Sequence, residues 1–523
     1  MNPITAPNSQ QSSTFLTHTQ SVMAKRKRDN APVGETGEKT KLTKKAKAPP
    51  SRNTPFKVGD GPVTIQIVAG SYDRVLHGIT ATIRPTTSTK KSKLAFPSSQ
   101  DVDFADTFLF NAHASSIRCL ALSPPSEPNS TQTQKVLLAT GATDERVNVY
   151  SLSAHPPSSR SANDQKLLSS LTPRPILENH KNREVGALLH HTGNITRLAF
   201  PNRSKLLSAS EDSTVAVTRS RDWALLHTFK CPVAKLQGRP SGDTAAHGAA
   251  PAGVNDFAVH PSNKIMISVS KGERCMRLWN LETGKKSRVL NFGRDALSEC
   301  GEGKHSTGEA RRIVWGSSGG EDEFAVGFDR DILVFGMDCK PRCRVMGDIN
   351  TKIHEFSYIE TGAGDETVLA VSTEDGRILL FSTDKEGLTA PRPPKENEKF
   401  PPTLSTAKLV AQLGGKEAGV VGRMKDFTVL PVENEEGQRL WYVVTGSSDG
   451  KLRVWQLQGG DIRVPGGDEK SRQVGKLLAT YETQNRVTCV EAFIMIPRPE
   501  GVEESDYEFE DESDDDDSDS DDE

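Results

Sequence analysis

Along most of the chain, short runs alternate apolar with polar residues and are separated by turns that hold an acidic side chain. The best-formed example lies near the C-terminal end. Leu440-Trp441-Tyr442-Val443-Val444-Thr445 is rich in β-branched and aromatic residues, and beyond Gly446-Ser447-Ser448-Asp449-Gly450 the residues Leu452, Val454 and Gln456 alternate with Arg453 and Trp455. A period of two in residues of this type predicts two strands. Their join predicts a tight turn, because Asp449 can accept backbone N–H groups within it and Gly450 tolerates a positive φ. Asp449 stands six residues before Trp455, which gives a template to search with.

An acidic residue six positions ahead of a large or β-branched strand residue recurs at Asp73 (before Ile79), Asp144 (Tyr150), Asp212 (Thr218), Glu273 (Trp279), Asp329 (Phe335) and Asp375 (Phe381). With Asp449 these make seven units. Their acids are spaced from 46 residues, between Asp329 and Asp375, to 74, between Asp375 and Asp449. Each unit reads as two strand-like runs, an acidic turn, a third strand, and then a loop or a fourth strand. Repeats of this length predict a propeller with loop insertions. The ends agree with that reading. Thr64 to Ile83 is an incomplete unit, Arg486 to Ile496 is a strand group left over, and joined they complete one blade and remove an open sheet edge. The expected architecture is all-β, a seven-bladed propeller over 56–497 with a composite closing blade.

Strand order also suggests where the loops lie. Segments 123–135, 360–367 and 432–438 join first to second strands and are expected on one face. The longer inserts 152–190, 219–253, 283–309, 383–420 and 457–485 are expected to run from blade to blade on the other face, beside the acidic turns, as the surface specific to partners.

Charge changes the picture at the two ends. Hydrophobic residues are 34% and mean hydropathy is −0.53, low for a packed domain, and the ends account for much of that. Residues 1–55 lack an apolar pattern and are expected to be disordered. They hold the basic clusters Lys25, Arg26, Lys27 and Arg28, and then Lys39, Lys41, Lys44, Lys45 and Lys47, against Asp29, Glu35 and Glu38. This is the composition of a bipartite nuclear-import signal, with a solvated basic tail as the alternative. Residues 498–523 form an acidic tail whose last part, 503–523, carries fifteen Asp and Glu and no base. Ser505, Ser513, Ser518 and Ser520 each have an acid three residues on, which makes them candidate acceptors for acidophilic kinases. A basic arm and an acidic tail suit work among nucleic acids or basic proteins, and the tail could mimic nucleic acid or serve solubility.

Candidate chemistry is sparse. Gly316-Ser317-Ser318-Gly319-Gly320 matches G-x-S-x-G, but an acidic loop and a short strand follow where a nucleophile elbow needs a helix. Cys339 and Cys343, with His354 nearby, lack the second ligand pair of a structural zinc site. No Walker or dinucleotide glycine pattern occurs, so neither catalytic residues, metal nor cofactor are expected. The seven cysteines are scattered and fit reduced thiols rather than a disulfide framework. No run approaches the length of a membrane span and no secretory signal is visible. The seven turn acids are expected to hold turns.

The repeated unit resembles the WD repeat, in which an aromatic ends the third strand and an aspartate holds the turn. No copy reads Trp-Asp. His113 and His191, each four residues ahead of the Ile that starts a strand, are placed like the family's histidine. In those two units the resemblance implies a hydrogen-bonded tether of His, Ser or Thr, and Asp. VAGSYDRVLHGI, REVGALLHHTGNITRLAF and SVSKGERCMRLWNLETGK, in unit order over roughly 64–496, resemble the family of the fungal maintenance-of-killer WD-repeat protein and the animal PAK-interacting protein. That resemblance implies a monomeric, non-catalytic scaffold of the nucleus and nucleolus that assembles the large (60S) ribosomal subunit. Its partners would be pre-60S assembly factors and ribosomal proteins, with rRNA contact left open. In some members it implies negative regulation of a p21-activated kinase. The basic arm and the long inserts depart from the family pattern.

Overall fold

The computed structural model describes residues 55–57, 61–84, 102–126, 133–157, 176–233, 252–302, 306–361, 367–391, 393, 403–433, 437–463 and 472–497. The import cluster from Lys25 to Lys47, the tail serines and the terminal segments 1–54 and 498–523 lie outside them.

Seven antiparallel sheets form a propeller. From the innermost strand outward, blade 2 is Ile117–Leu122, Lys135–Ala142, Val147–Ser153 and Arg183–Leu188. Blade 3 is Ile195–Asn202, Lys205–Ser210, Thr214–Arg219 and Leu225–Lys230, and blade 4 is Val254–Val259, Ile265–Ser270, Cys275–Asn280 and Lys285–Asn291. Blade 5 is Arg312–Ser318, Glu321–Gly327, Ile332–Gly336 and Pro341–Arg344. Blade 6 is Ile353–Glu360, Thr367–Thr373, Arg377–Ser382 and Lys408–Gly414, and blade 7 is Met424–Glu433, Arg439–Ser447, Lys451–Gln458 and Lys476–Glu482.

Blade 1 is the composite. The C-terminal strand Val487–Ile494 is innermost and pairs antiparallel with Val63–Ser71, beyond which lie Val75–Ile83 and Val102–Asn111. The two ends of the propeller are thereby locked into one sheet. A second N-terminal piece, Phe56–Lys57, pairs parallel with Val432 and Glu433 on the inner strand of blade 7.

Seven apolar clusters hold the ring together, one in each gap between neighbouring blades. Between blades 6 and 7, for example, Val368 and Ala370 meet Trp441, Trp455 and Leu457, all almost fully buried. The aromatic that ends the third strand packs into the gap toward the preceding blade, as with Tyr150 against blade 1 and Phe381 against blade 5. Burial of this size on side chains of well-defined rotamer supplies the main favourable term for closure.

The loops correct one expectation. Inserts 231–253 and 292–311 do run from one blade to the next, but the long parts of 152–190, 383–420 and 457–485 connect third to fourth strands within a blade. They therefore leave from the face opposite the acidic turns. Two of the fourth strands inside them, Arg183–Leu188 and Lys476–Glu482, expose most of their residues, so their apolar alternation is faint, whereas Lys408–Gly414 is half-buried to buried throughout. All three inserts reach back to the outermost strand of the preceding blade. Ile176 bridges Asp106 in parallel, with Leu177 N–H on the Asp106 carbonyl at 2.6 Å. Ser405–Thr406 pairs with Cys343 and Arg344, and Arg472–Gln473 with Ala411 and Gln412. These inserts cover open edges that would otherwise present unpaired backbone groups.

Candidate functional site

The acidic turns lie between second and third strands on one face. In blade 2, His113 Nδ1 lies 3.1 Å from both carboxylate oxygens of Asp144, and its Nε2 lies 2.7 Å from Thr140 Oγ1. In blade 3, His191 bridges Asp212 at 3.0 Å and Ser208 at 2.8 Å. Each histidine comes from the loop ahead of an inner strand, so the tether joins that loop to the turn. Burial holds the His113 imidazole below its ordinary pKa despite Asp144. Burial works to raise Asp212, but hydrogen bonds from His191 and Thr214 outweigh it and hold the carboxyl at about 2.

Three other blades satisfy the same acid with arginine. Arg277 forks onto both oxygens of Glu273, Arg377 donates to Asp375 through Nε at 2.8 Å, and Arg453 Nη2 donates to Asp449 at 3.0 Å. The arginine sits two or four residues after the acid, on the third strand, where it reaches back over the turn. Trp279 donates Nε1–H to Ser268 at 2.8 Å, and Trp455 to Thr445 at 3.3 Å. The residue after the acid adopts a left-handed backbone in five turns, at Arg74, Glu145, Ser213, Gly376 and Gly450. Glycine meets that demand without strain; the other three depend on the surrounding hydrogen bonds to hold it.

Blades 1 and 5 differ. Asp73 accepts the backbone N–H of Arg486 at 3.2 Å, across the junction of the two chain ends. Asp329 lies at the surface between Arg311 and Lys352, each 3.2 Å away. The buried acid of that turn is Asp331, which accepts the Ile332 and Met346 amides at 2.8 and 2.9 Å and Arg344 Nε at 3.1 Å. The six-residue spacing selected Asp329; the signal for Asp331 was its place directly before the buried run Ile332–Gly336.

The inner strands hold a second set that the spacing search did not reveal. Cys119, Arg197, Asp256, Arg312, Glu355, Asp426 and Cys489 occupy the same position in blades 2, 3, 4, 5, 6, 7 and 1, and all of them but Asp256 line a central cavity of about 400 Å³. Register shifts of the inner strand at Cys119, Asp256, Glu355 and Asp426 aim those side chains inward. Arg197 reaches Asp256 at 3.4 Å and Glu355 at 3.2 Å, and Arg312 reaches Glu355 at 3.2 Å. Asp256 also accepts the Ile313 amide, and Asp426 the Val490 amide, both at 2.9 Å, so each carboxylate ties its blade to the next. Burial tends to raise Glu355, but Arg197 and Arg312 hold it low; burial and then Glu355 push Asp426 up to about 8. The ring thus sets two guanidinium groups, Arg197 and Arg312, among three acids, Asp256, Glu355 and Asp426. Burial raises Cys119 to about 12, away from the range of a reactive thiolate.

The remaining sequence candidates fall apart in space or into turns. Gly319 and Gly320, both with positive φ, close the hairpin between Arg312–Ser318 and Glu321–Gly327. Cys339 lies in the outer hairpin of blade 5, Cys343 is buried in its outermost strand, and His354 contacts Lys425 instead. Among the described residues no group of three or more His, Cys, Asp or Glu could hold a metal ion, and no helix is long and apolar enough to cross a membrane.

Seven four-stranded blades, closed by strands from both ends and held by acid-centred turns, define a WD-repeat β-propeller. The family model "WD domain, G-beta repeat" matches residues 182–217, which span the outer strand of blade 2 and three strands of blade 3. The chain is similar to a p21-activated protein kinase-interacting protein 1-like of Xenopus laevis, 23% identical over 85% of each chain, and to that of Gallus gallus, 22% identical over 82% of this chain and 80% of the relative. It is also similar to Protein MAK11 of Saccharomyces cerevisiae, 26% identical over 75% of this chain and 78% of the relative. These are the two groups that the sequence resembles.

Proposed function

We propose that the chain is a non-catalytic scaffold in large (60S) ribosomal subunit assembly, acting in the nucleus and nucleolus through protein–protein contacts with pre-60S assembly factors and ribosomal proteins. The observation that carries this reading is likeness to the maintenance-of-killer and PAK-interacting groups across the propeller, not in one repeat alone. The polarity of the chain, with a basic arm and an acidic tail, supports work among RNA and basic proteins. The polar residues of the face support it as well. Five of the turn acids are engaged by histidine or arginine of their own blades and the charged ring residues by one another, which suits holding a shape rather than turning over a substrate. Direct contact with rRNA is a further element of the proposal.

Depletion tests it. Loss of the protein is expected to deplete large-subunit rRNA precursors and leave small-subunit precursors intact; unchanged processing would refute the assembly role. The names of two relatives favour one second reading, an adaptor that binds and negatively regulates a p21-activated kinase. On that reading the purified chain would bind such a kinase and lower its activity, and depletion would leave rRNA processing intact.

A further inference from the structure

The residue just ahead of each ring position is the second of its inner strand, except in blade 5, where Arg311 directly precedes the strand. In blades 1, 3 and 4 this residue is uncharged and bonds the backbone of the next blade. Thr488 donates to Ile117 O at 2.6 Å, Thr196 to Val254 O at 2.7 Å and Asn255 to Ala310 O at 2.9 Å. In blades 2 and 5 it is an arginine matched by an acid, Arg118 with Glu211 at 3.6 Å and Arg311 with Asp329 at 3.2 Å. Blades 6 and 7 do neither. There the residues are His354 and Lys425, which face each other, Lys425 Nζ lying 3.4 Å from His354 Nε2.

Nothing in the fold requires that pairing. Among the described residues no carboxylate lies within ion-pair distance of Lys425; its charged neighbours are Arg423, Arg486 and Lys352, with Glu374 the one acid among them. Arg423 is matched by Glu374 at 3.0 Å and Lys352 by Asp329 at 3.2 Å; Arg486 stacks over the Tyr72 ring at 5.6 Å. Burial and then Arg423 and Arg486 hold the Lys425 ammonium below its ordinary pKa, and burial followed by Lys425 brings His354 down to about 4. Both shifts follow from burial first and from neighbouring cations second, and an anion placed against Lys425 would oppose them. Lys425 also lines the central cavity, so a side chain arriving from this face finds an opening behind the cations.

We propose that His354, Lys425, Arg423 and Arg486 form a receiving site at the channel mouth for a glutamate or aspartate side chain of a partner polypeptide. Two features favour a peptide over nucleic acid. Glu374, paired with Arg423, and Asp329, paired with Lys352, border the basic residues, which suits one anionic side chain and repels a backbone carrying a charge at every nucleotide. Val421, 81% exposed, and Tyr72, 59% exposed, flank the site and offer apolar contact beside the charge. The partner segment is therefore acidic with apolar neighbours. This deepens the scaffold reading and rests on it, but its test is separate: peptide binding can fail while particle association stands.

The test is fluorescence anisotropy of the full chain with a labelled peptide of alternating glutamate and leucine, its glutamine counterpart, and a short polyuridylate. The glutamate peptide is expected to bind saturably and the glutamine peptide about tenfold more weakly, the effect of one desolvated charge contact. Lys425→Met, with an unchanged melting midpoint, should weaken the glutamate peptide about tenfold, and Lys425→Arg should restore it. Arg486→Gln, which leaves the channel wall intact, should weaken it as well, so the outcome does not hang on one variant. Lys271→Met, whose cation is matched by Glu211 at 3.5 Å, should change nothing. The proposal is overturned if the glutamate peptide does not bind, if both peptides bind equally, if Lys425→Met and Arg486→Gln bind as the parent does, or if only the RNA binds in a Lys425-dependent way.

Discussion

Arg453 donates Nη2–H to Asp449 at 3.0 Å and, through Nη1, to Ser447 at 2.7 Å, and so does for blade 7 what His191 does for blade 3. The acid is the constant of the repeat and its cationic or imidazole partner is the variable. The arginine version keeps both partners on one hairpin, two or four residues apart. The histidine version joins the turn to the loop ahead of the inner strand.

Asp449→Ala should therefore lower stability by about 1–3 kcal/mol, because it leaves Arg453, only 5% exposed, without its acceptor. Arg453→Met should cost a similar amount. In a double-mutant cycle by urea unfolding the pair should couple by roughly 1 kcal/mol or more; additive effects would show that the two act separately.

Glu355 is the hub of the channel ring, with Arg197 and Arg312 both at 3.2 Å. Glu355→Gln leaves two partly exposed guanidinium groups, Arg197 and Arg312, short of charge and should cost about 1–3 kcal/mol. Equilibrium unfolding measures it, and a loss near zero would mean that water already screens the ring.

The ring also makes stability depend on pH. Asp426 is pushed up to about 8 by burial and then by Glu355, so the folded chain holds a proton that an unfolded aspartate releases near its ordinary 3.8. The unfolded state binds fewer protons across that interval, so stability falls as pH rises from about 4 and the contribution is gone above about 8. Urea midpoints should decline between pH 6 and 9, and Asp426→Asn, which mimics the protonated acid, should flatten the decline. An equal slope in both proteins would argue against this assignment.

Asp212 acts in the opposite direction. Its carboxyl is held at about 2 against the ordinary 3.8, so its contribution is present above about 4 and is lost as pH falls through 2. Acid unfolding of Asp212→Asn should lack this component, which circular dichroism between pH 2 and 5 would show.

What the sequence made legible was local. Turn chemistry around Asp449, Asp375 and Asp144, and strand alternation on either side, depend on neighbours in the chain, and so the blade count and the composite blade could be read from them. The outermost strands were harder, because Arg183–Leu188 and Lys476–Glu482 face solvent and show little apolar period. That hid the return of three inserts onto the preceding blades and put them on the wrong face. The channel ring was hidden for a different reason. Arg197 meets Glu355 across 158 residues of chain, and only closure of the propeller makes Cys119, Asp256 and Asp426 equivalent. The arginine partners were within reach of a pattern search, since Glu273 with Arg277 and Asp449 with Arg453 share one spacing.

The scaffold account is tested most directly by affinity purification of the tagged full chain followed by sedimentation through a sucrose gradient. The account expects it to travel with particles of large-subunit precursor size, with large-subunit rRNA precursors in the same fractions. Recovery at the top of the gradient alone, free of those precursors, would contradict it.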